Sequence, residues 1–362
     1  MFIAALKEDN QDDNRVSVTP ETCKKLVSKG FEVIIEKNAG NASNYLNEHY
    51  LSAGAEIEEN REKILKKTDV LLAVTTVPSE SIIKFMKMHI VVIGTFNPYE
   101  NSSALSKLEA GNLNVITLDF LPRISRAQAM DVLSSQSNLA GYKAVIDTAY
   151  EFSKALPMMM TAAGTITPAK YFIVGAGVAG LQAIATAKRL GAVVSATDVR
   201  EASKEQVESL GAKFVFVESE ENLETDGGYA KEVTADYKKK QEELMKQTVK
   251  NQDVIITTAL IPGKKAPLII SEEMVLSMKP GSIICDLATS QGGNVAFSER
   301  DKIIEKNGVK IIGYSNYASR TAYSASGLLG KNIINFLSLL VDKENKSIKV
   351  DYEDEIIKGV RI

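Results

Sequence analysis

The sequence has few of the residues that most often move protons or bind metals. Of its 362 residues two are histidine, two are cysteine and none is tryptophan. His49 and His89 both lack a carboxylate at helical spacing that would orient an imidazole for catalysis. No ligand residues with metal-binding spacing, no Walker loop and no catalytic triad stand in the chain, so we predict no metal site.

Long apolar runs and an excess of one charge are also missing. The longest apolar segment, 332–341, is shorter than the roughly 20 residues that a membrane-spanning helix needs. The 43 basic and 46 acidic residues nearly balance, so nothing in the composition favours nucleic acid as a partner. Cys23 and Cys285 stand in a predicted helix and a predicted strand, which fits reduced, buried thiols better than a disulfide.

What the sequence does contain is an alternation of short apolar runs with amphipathic helical segments. The predicted strands are 2–6, 31–36, 69–74, 90–94, 113–118, 171–175, 192–198, 213–217, 253–259, 281–287 and 309–314. Apolar strands separated by helices predict parallel sheets that are covered on both faces. We therefore predict an α/β fold with two doubly wound, Rossmann-like parallel-sheet domains.

Two long helical segments, 123–157 and 319–341, separate these halves. A chain that leaves the first domain on one long helix and returns on another makes that domain discontinuous. We predict an N-terminal domain of residues 1–125 and 319–362, joined by long helices to a second domain of residues 126–318.

The segment from 171 to 200 has the pattern of a dinucleotide-binding site. A predicted strand leads into Gly175, Gly177 and Gly180, and a helix and a second strand follow. In this context Gly175 permits a tight turn, Gly177 lets the main chain approach a pyrophosphate, and Gly180 allows close packing of helix and strand. The helix N-terminus, which includes Val178 and Ala179, would supply unpaired N–H groups to the phosphates.

Asp198 ends the second strand of this pattern, about 20 residues after the glycines. Its carboxylate would accept hydrogen bonds from both ribose hydroxyls and repel a 2′-phosphate, which favours NAD(H) over NADP(H). The nearby Arg200 leaves the opposite preference open, since a guanidinium can bind that phosphate. The alternative to a nucleotide site is a Rossmann-like fold that binds none.

Polar side chains crowd the start of the first long helical segment, among them Arg123, Gln128, Asp131 and Ser134. Hydride transfer between two nicotinamides makes or consumes no proton, so it needs positioning groups rather than an acid or base. Ser134 and Arg123 can bond a carboxamide, and Asp131 can order ribose hydroxyls or the arginine. An interdomain salt bridge with a helix cap explains the same residues equally well.

Several long segments resemble one family. They are "PRISRAQAMDVLSSQSNLAGYKAVIDTAYEF", "PMMMTAAGTITPAK", "VGAGVAGLQAIATAKRLGAVVSATDVR", "KEQVESLGAKF", "GGYAKE", "TTALIPGKKAP" and "MKPGSIICDLA". Together they resemble the NAD(H)-binding component of the proton-translocating nicotinamide nucleotide transhydrogenases. "NRVSVTPET" is also similar to alanine dehydrogenase, in the wider fold family.

The resemblance implies a homodimer that passes a hydride between NAD(H) and NADP(H), the latter bound on a separate component. It also implies coupling to proton movement through a membrane-spanning component, and a cytoplasmic location, peripheral on the inner face of the membrane. By the same resemblance Arg123, Gln128, Asp131 and Ser134 lie at the nicotinamide, and Tyr229 belongs to a mobile loop that closes over the nucleotide. The cofactor-binding residues it implies are Gly175, Gly177, Val178, Ala179, Gly180, Asp198, Val199, Arg200, Gly228, Ala259 and Leu260.

Two other functions stay open on the sequence alone. One is a self-sufficient amino-acid dehydrogenase of the alanine type, which would turn over NAD and L-alanine without a partner. The other is a binding module that senses NAD(H) and transfers no hydride.

Overall fold

A computed structural model describes residues 1–217, 235–261, 263–342 and 347–362. The chain forms two compact units, one made of Met1–Gln136 with Ala318–Ile362 and the other of Ser137–Tyr317. Each unit has its own mostly parallel sheet with helices on both faces, which confirms the α/β prediction. The chain passes between the units twice, which makes the first unit discontinuous.

The elements up to the polar stretch alternate as the apolar runs predict. In chain order they are β1 (Phe2–Ala5), α1 (Pro20–Ser28), β2 (Glu32–Glu36), α2 (Asn47–Ser52), β3 (Glu56–Glu58), α3 (Arg61–Lys67), β4 (Val70–Leu72), α4 (Glu80–Ile83), β5 (Val91–Gly94), α5 (Pro98–Ala110) and β6 (Asn114–Thr117). The helix α1 shows why these boundaries arise. Thr19 caps it by accepting the N–H of Thr22, and Pro20 occupies the first turn.

The second half repeats the alternation and then returns to the first unit. The elements are α6 (Val132–Glu151), β7 (Met159–Thr161), β8 (Gly164–Ile166), β9 (Lys170–Val174), α7 (Val178–Arg189), β10 (Val193–Thr197), α8 (Ser203–Ser209), β11 (Lys213–Phe214), α9 (Ala235–Val249), β12 (Val254–Thr257), α10 (Glu272–Ser277), β13 (Ile283–Asp286), β14 (Ile303–Lys306), β15 (Val309–Ile312), α11 (Ala322–Leu340), β16 (Val341–Asp342), β17 (Ser347–Ile348) and α12 (Glu355–Val360).

The two main sheets share the order of five neighbouring strands. The sheet of the first unit runs β3-β2-β1-β4-β5-β6 and is parallel throughout. The sheet of the second unit runs β11-β10-β9-β12-β13-β15-β14, with β14 as an antiparallel edge strand. In both, the winding direction reverses beside the first strand of the sheet, β1 or β9. Open α/β sheets bind ligands at the carboxyl ends of the strands that flank such a reversal.

Apolar side chains cover both faces of each sheet. In the first unit one face packs under α1, α11 and α12, and the other under α3 and α5. In the second unit α6, α7 and α8 cover one face, and α9 and α10 cover the other. Strands buried on both faces explain why the sequence shows continuous apolar runs rather than alternation.

The structure departs from the prediction at the polar stretch. Residues Ser125–Met130 form a 3-10 segment, and the long α-helix begins only at Val132. The side chain of Asp131 accepts the N–H of Ser134, and its own φ and ψ of −69° and 93° are not helical. This aspartate is therefore the N-cap of α6, and it separates the 3-10 segment from the helix.

The boundaries between the two compact units lie after Gln136 and before Ala318. The boundaries predicted from the sequence were 125/126 and 318/319. The helix α6 passes through the first junction, and α11 begins after the second. The strands that the apolar runs did not predict are short edge or hairpin strands: β3, β7, β8, β14, β16 and β17. These are the strands with little core to bury, so their sequences carry no long apolar run.

Candidate functional site

The reversal point of the second sheet lies between β9 and β12, which are hydrogen-bonded neighbours. Gly175 follows β9, and Thr258 follows β12. The N–H of Thr258 donates to the carbonyl of Val174 at 2.8 Å, and its hydroxyl donates to the carbonyl of Gly175 at 3.1 Å. The two strand ends therefore form one continuous polar edge, at the place where such sheets accept ligands.

Two of the three glycines are required by the fold itself. Gly175 has a φ of +100°, which side chains rarely adopt, and a Cβ there would lie 2.5 Å from the hydroxyl of Thr258. A Cβ on Gly180 would lie 1.8 Å from the carbonyl oxygen of Gly175. A side chain at Gly175 would need a strained φ and a displaced Thr258 hydroxyl, and one at Gly180 would need α7 to shift away from the glycine loop. Glycine at 175 thus permits the turn, and glycine at 180 permits the close packing of helix and loop.

Gly177 is different, because no contact with the described residues requires a glycine there. Its φ of −77° is open to any residue, and a Cβ would meet no atom of the described residues within 4 Å. In dinucleotide sites a glycine at this position lets a pyrophosphate approach the main chain.

The N-terminus of α7 carries no side-chain cap within the part of the chain that the structure describes. Val178 in its first turn is 41% exposed. The first N–H groups of a helix have no intrahelical partner, and the helix dipole adds positive potential there. The helices α6 and α7 pack closely at Ala179. A Cβ on Gly141, in α6, would lie 2.0 Å from the carbonyl oxygen of Ala179. These features suit an anion at the helix end.

Asp198 follows β10 and faces the glycine loop. Its carboxylate accepts the N–H of Ala176 at 2.7 Å and the N–H of Arg200 at 2.9 Å. It also accepts two guanidinium hydrogen bonds from Arg200, each at 2.9 Å. A carboxylate has about four acceptor positions, so Asp198 uses its full capacity here. Val199, which lies between Asp198 and Arg200 in the sequence, is half-buried.

The loop after β12 carries the remaining predicted residues of this unit that the structure describes. Ala259 is half-buried, and both its N–H and its carbonyl bond the side chain of Asn294. Leu260 is 40% exposed. Tyr229 and Gly228 lie outside the described residues. Thr258 and Asn294 were not predicted from the sequence, since no local pattern marks either of them.

The four polar residues predicted at the nicotinamide belong to the first unit. Arg123 is exposed and precedes the 3-10 segment, and Gln128 lies exposed within that segment. Asp131 and Ser134 are half-buried at the start of α6. The structure brings the last two into direct contact. Their spacing makes a helix cap, one of the two explanations that the sequence left open.

The contact of Ser134 with Asp131 fixes the direction of a hydroxyl group. The N–H of Ser134 donates to one carboxylate oxygen at 2.9 Å, and its hydroxyl donates to the other at 2.5 Å. Because the proton of the hydroxyl points at Asp131, the lone pairs of the Ser134 oxygen face away from it. Ser134 is therefore set up to accept a hydrogen bond from a further group.

The matching reversal point of the first sheet is filled by the chain itself. Glu8 follows β1 and is buried, and its carboxylate accepts three successive main-chain N–H groups after β4. These are the N–H groups of Val74, Thr75 and Thr76, at 2.7, 3.0 and 2.8 Å. Successive N–H groups of this kind form an anion site. In this unit the anion is a side chain of the protein.

Neither histidine stands at these sites. His49 is exposed and accepts the N–H of Leu46, and His89 is exposed with a φ of +63°. Within the described ranges no three His, Cys, Asp or Glu side chains form a group that could hold a metal ion. Over the same ranges no helix is long and apolar enough to cross a membrane.

Known proteins resemble this chain over almost its full length. It is 50% identical to the first portion of the NAD(P) transhydrogenase alpha subunit of Rhodospirillum rubrum, across 99% of this chain and 95% of that protein. A solved structure of transhydrogenase from Sinorhizobium meliloti matches with a TM-score of 0.90 and 47% identity, over 100% of this chain and 98% of that one. Alanine dehydrogenase 1 of Staphylococcus aureus is 28% identical over 95% of this chain and 88% of that protein.

Family models cover both halves of the chain. Residues 4–140 match the alanine dehydrogenase/PNT N-terminal domain, and residues 144–362 match the alanine dehydrogenase/PNT C-terminal domain. The order of the two domains along the chain is that of the family, and the transhydrogenase relatives are far more similar than the alanine dehydrogenases. The chain belongs to the alanine dehydrogenase/PNT family.

Proposed function

We propose that this chain is the NAD(H)-binding component of a proton-translocating transhydrogenase and passes a hydride between NADH bound here and NADP+ on a partner component. The observation that carries the proposal is the open space over Gly177 at the uncapped start of α7. It supports a dinucleotide site at the reversal point of the second sheet. The 50% identity to a transhydrogenase alpha subunit supports the reaction.

In this proposal the loop between β9 and α7 and the end of β10 bind the phosphate and ribose part of the cofactor. The N–H groups at the start of α7 bind the pyrophosphate, with Gly177 leaving room for it. Asp198 accepts the hydroxyls of one ribose. Because Arg200 already occupies that carboxylate, its guanidinium has to move aside as the ribose binds. The carboxylate repels a 2′-phosphate, which is why we assign NAD(H) rather than NADP(H) to this chain.

On the resemblance to the transhydrogenases, we assign Arg123, Gln128, Asp131 and Ser134 to the nicotinamide, which supplies the hydride when the cofactor is bound. Ser134 would accept a hydrogen bond from the carboxamide NH2 group, since Asp131 already takes the proton of its hydroxyl. Arg123 and Gln128 would donate to the carboxamide oxygen or the ribose. No acid or base is needed, because hydride transfer between two nicotinamides moves no proton.

The surroundings of Arg15 do not favour an amino-acid dehydrogenase. A substrate carboxylate needs a cation to bind, and Arg15 is a half-buried cation of the first unit. Its guanidinium donates to both carboxylate oxygens of Asp13, at 2.8 and 2.7 Å, and to the side chain of Gln136. Although burial raises the pKa of Asp13, its bonds with Arg15 hold that pKa below its usual value. Arg15 is thus engaged by a carboxylate of the chain itself.

A reconstitution assay tests the proposed function. This chain, an NADP-binding transhydrogenase component, NADH and an NADP+ analogue are expected to give hydride transfer that stops when either protein is omitted. NADPH offered to this chain in place of NADH should be a poor donor, because of Asp198. Turnover of NAD+ with L-alanine by this chain alone would contradict the proposal. So would NADH binding with no transfer in the complete mixture, which would leave a binding module.

We further propose that the chain acts as a homodimer attached to the inner face of the membrane through its partner components. The hairpin of β7 and β8 supports a protein interface, because it exposes a run of apolar side chains. Met158 and Met160 are 62% and 81% exposed, and Met159 and Ile166 about 40%. Contiguous exposed apolar surface of this kind marks contact sites between proteins.

Placing glutamate at both Met158 and Met160 is therefore expected to convert the dimer into monomers, as measured by analytical ultracentrifugation. Charges at an apolar interface lose their hydration without gaining partners. Leu51→Glu is the matched control, because Leu51 is 57% exposed on α2 and should leave the mass unchanged. A double variant that sediments like the parent chain would assign the interface to another surface.

A further inference from the structure

Two loops follow neighbouring strands at the carboxyl edge of the second sheet. One begins at Thr258 after β12, and the other follows β13. Main-chain hydrogen bonds tie them together: the N–H of Ala266 donates to the carbonyl of Gln291 at 2.8 Å, and the N–H of Ile270 donates to the carbonyl of Asn294 at 3.0 Å. The shape of the first loop therefore depends on the second.

The strongest tie between the loops is the side chain of Asn294, which is fully buried. Its amide oxygen accepts the N–H of Ala259 at 3.0 Å. Its amide nitrogen donates to the carbonyls of Ala259 and Pro267, both at 2.9 Å. One side chain thus pairs with both main-chain groups of Ala259, much as a neighbouring strand would. This pairing uses the N–H of Ala259, so the residue has no main-chain donor left for a ligand.

Asn294 is itself held in place by Asp286, at the end of β13. The carboxylate of Asp286 is buried and accepts the N–H groups of Asn294, Val295 and Ala288 at 2.9, 3.2 and 2.9 Å. Burial raises the pKa of Asp286, and these hydrogen bonds work against that rise. The turn is tight, since a Cβ on Gly293 would lie 2.7 Å from the carboxylate. The main chain at residue 294 is therefore fixed before its side chain reaches the first loop.

The first loop is fixed on its other side by the glycine loop. Thr258, next to Ala259, bonds the carbonyls of Val174 and Gly175 and sits where a Cβ on Gly175 would have to go. Ala259 and Leu260 are thus held between Thr258 on one side and Asn294 on the other. The apolar side chain of Leu260 stays 40% exposed.

We propose that Asn294 is a positioning residue for the nucleotide site, and that it holds Ala259 and Leu260 as a rigid apolar surface beside the glycine loop. The inference rests on the proposed function and adds a residue that acts through others. Rigid surfaces bind better than mobile ones because less ordering is needed on binding. The cofactor meets this surface by contact rather than by hydrogen bonds to Ala259.

Asn294→Asp tests the inference with almost no change in volume. A carboxylate keeps the acceptor toward Ala259 N–H but places a second oxygen against the carbonyls of Ala259 and Pro267, which repels them. We expect the Kd for NADH to rise at least about tenfold near pH 8, measured by calorimetry on folded protein. The loss should shrink near pH 6, since the protonated acid regains a donor. Asp286 is the titratable group bonded to this turn, and it is present in the wild type and in the variant. The pH dependence of the wild-type Kd therefore corrects for any titration of Asp286.

Asn294→Ser removes the amide without adding charge, and we expect the same rise in Kd with no added pH dependence. Ser282→Ala is the matched control, because its buried hydroxyl bonds the carbonyl of Gln252 at the opposite end of β13 and should leave the Kd unchanged. Folded Asn294 variants that bind NADH as the wild type does would overturn the inference. Wild-type protein that binds no NADH would overturn the proposed function instead.

Discussion

Gly177→Val is expected to raise the Kd for NADH at least ~100-fold, or ~2.7 kcal/mol, while the protein stays folded. The Cβ branch would fill the space that we assign to the pyrophosphate, directly over the N–H groups of α7. The fold should tolerate it, because the φ of −77° is ordinary and, among the described residues, no atom lies within 4 Å of the new Cβ. Valine is a poorer N-cap than glycine, so thermal unfolding should report a cost of only about 1 kcal/mol.

Gly180→Ala is the informative comparison for that variant. Its Cβ would lie 1.8 Å from the carbonyl oxygen of Gly175, so α7 has to move away from the strand. We expect a loss of stability of several kcal/mol, by analogy with overpacked cores, and loss of binding with it. Comparing the two variants thus distinguishes loss of binding by steric exclusion of the cofactor from loss of binding by misfolding. NADH affinity that survives Gly177→Val would show that the phosphates lie elsewhere.

Ser134→Ala is expected to slow hydride transfer about 100-fold in the reconstituted system while changing the Kd for NADH less than about threefold. The variant removes the one acceptor that the Asp131 contact aims at the carboxamide, so the nicotinamide stays bound but turns more freely. Effective transfer requires a fixed approach of the two rings. The measurement pairs stopped-flow transfer rates with calorimetric affinities.

Ser135→Ala is the control on the same helix. The hydroxyl of Ser135 lies within hydrogen-bond distance of two acceptors, the carbonyl of Val132 at 3.0 Å and the side-chain oxygen of Asn332 at 2.8 Å, so its role is structural. We expect slightly lower stability and an unchanged transfer rate. If Ser134→Ala instead lost affinity in step with rate, Ser134 would be a simple anchor for the cofactor.

The fold could be read from the sequence because its signals are local. Buried parallel strands have continuous apolar sequences. The glycine loop has a recognisable pattern within the few residues between β9 and α7. The 3-10 segment at Ser125–Met130 was not predicted, because Asp131 starts a new helix after it by capping α6. The sequence does not show whether a polar residue in a helical pattern interrupts the helix or lies on its exposed face.

The features of the site that escaped prediction depend on contacts between distant residues. Asn294 reaches Ala259, which stands 35 positions earlier, and Glu8 reaches Val74, which stands 66 positions later. No periodicity records such pairs. The Asp198–Arg200 contact lies within two positions, yet the sequence did not predict Arg200 as a partner of Asp198. The geometry adds the direct bond from the Arg200 guanidinium to the Asp198 carboxylate at 2.9 Å.

The Glu8 carboxylate has a consequence for how many cofactors the molecule takes up. Both sheets have the same winding and therefore the same crevice, yet one crevice holds a built-in anion on three amides. A phosphate binding there would have to displace the buried carboxylate of Glu8. Because Glu8 is part of the chain, its effective concentration at these amides is very high. We therefore expect the protein to bind one dinucleotide for each polypeptide at saturation, although two of its sheets wind alike.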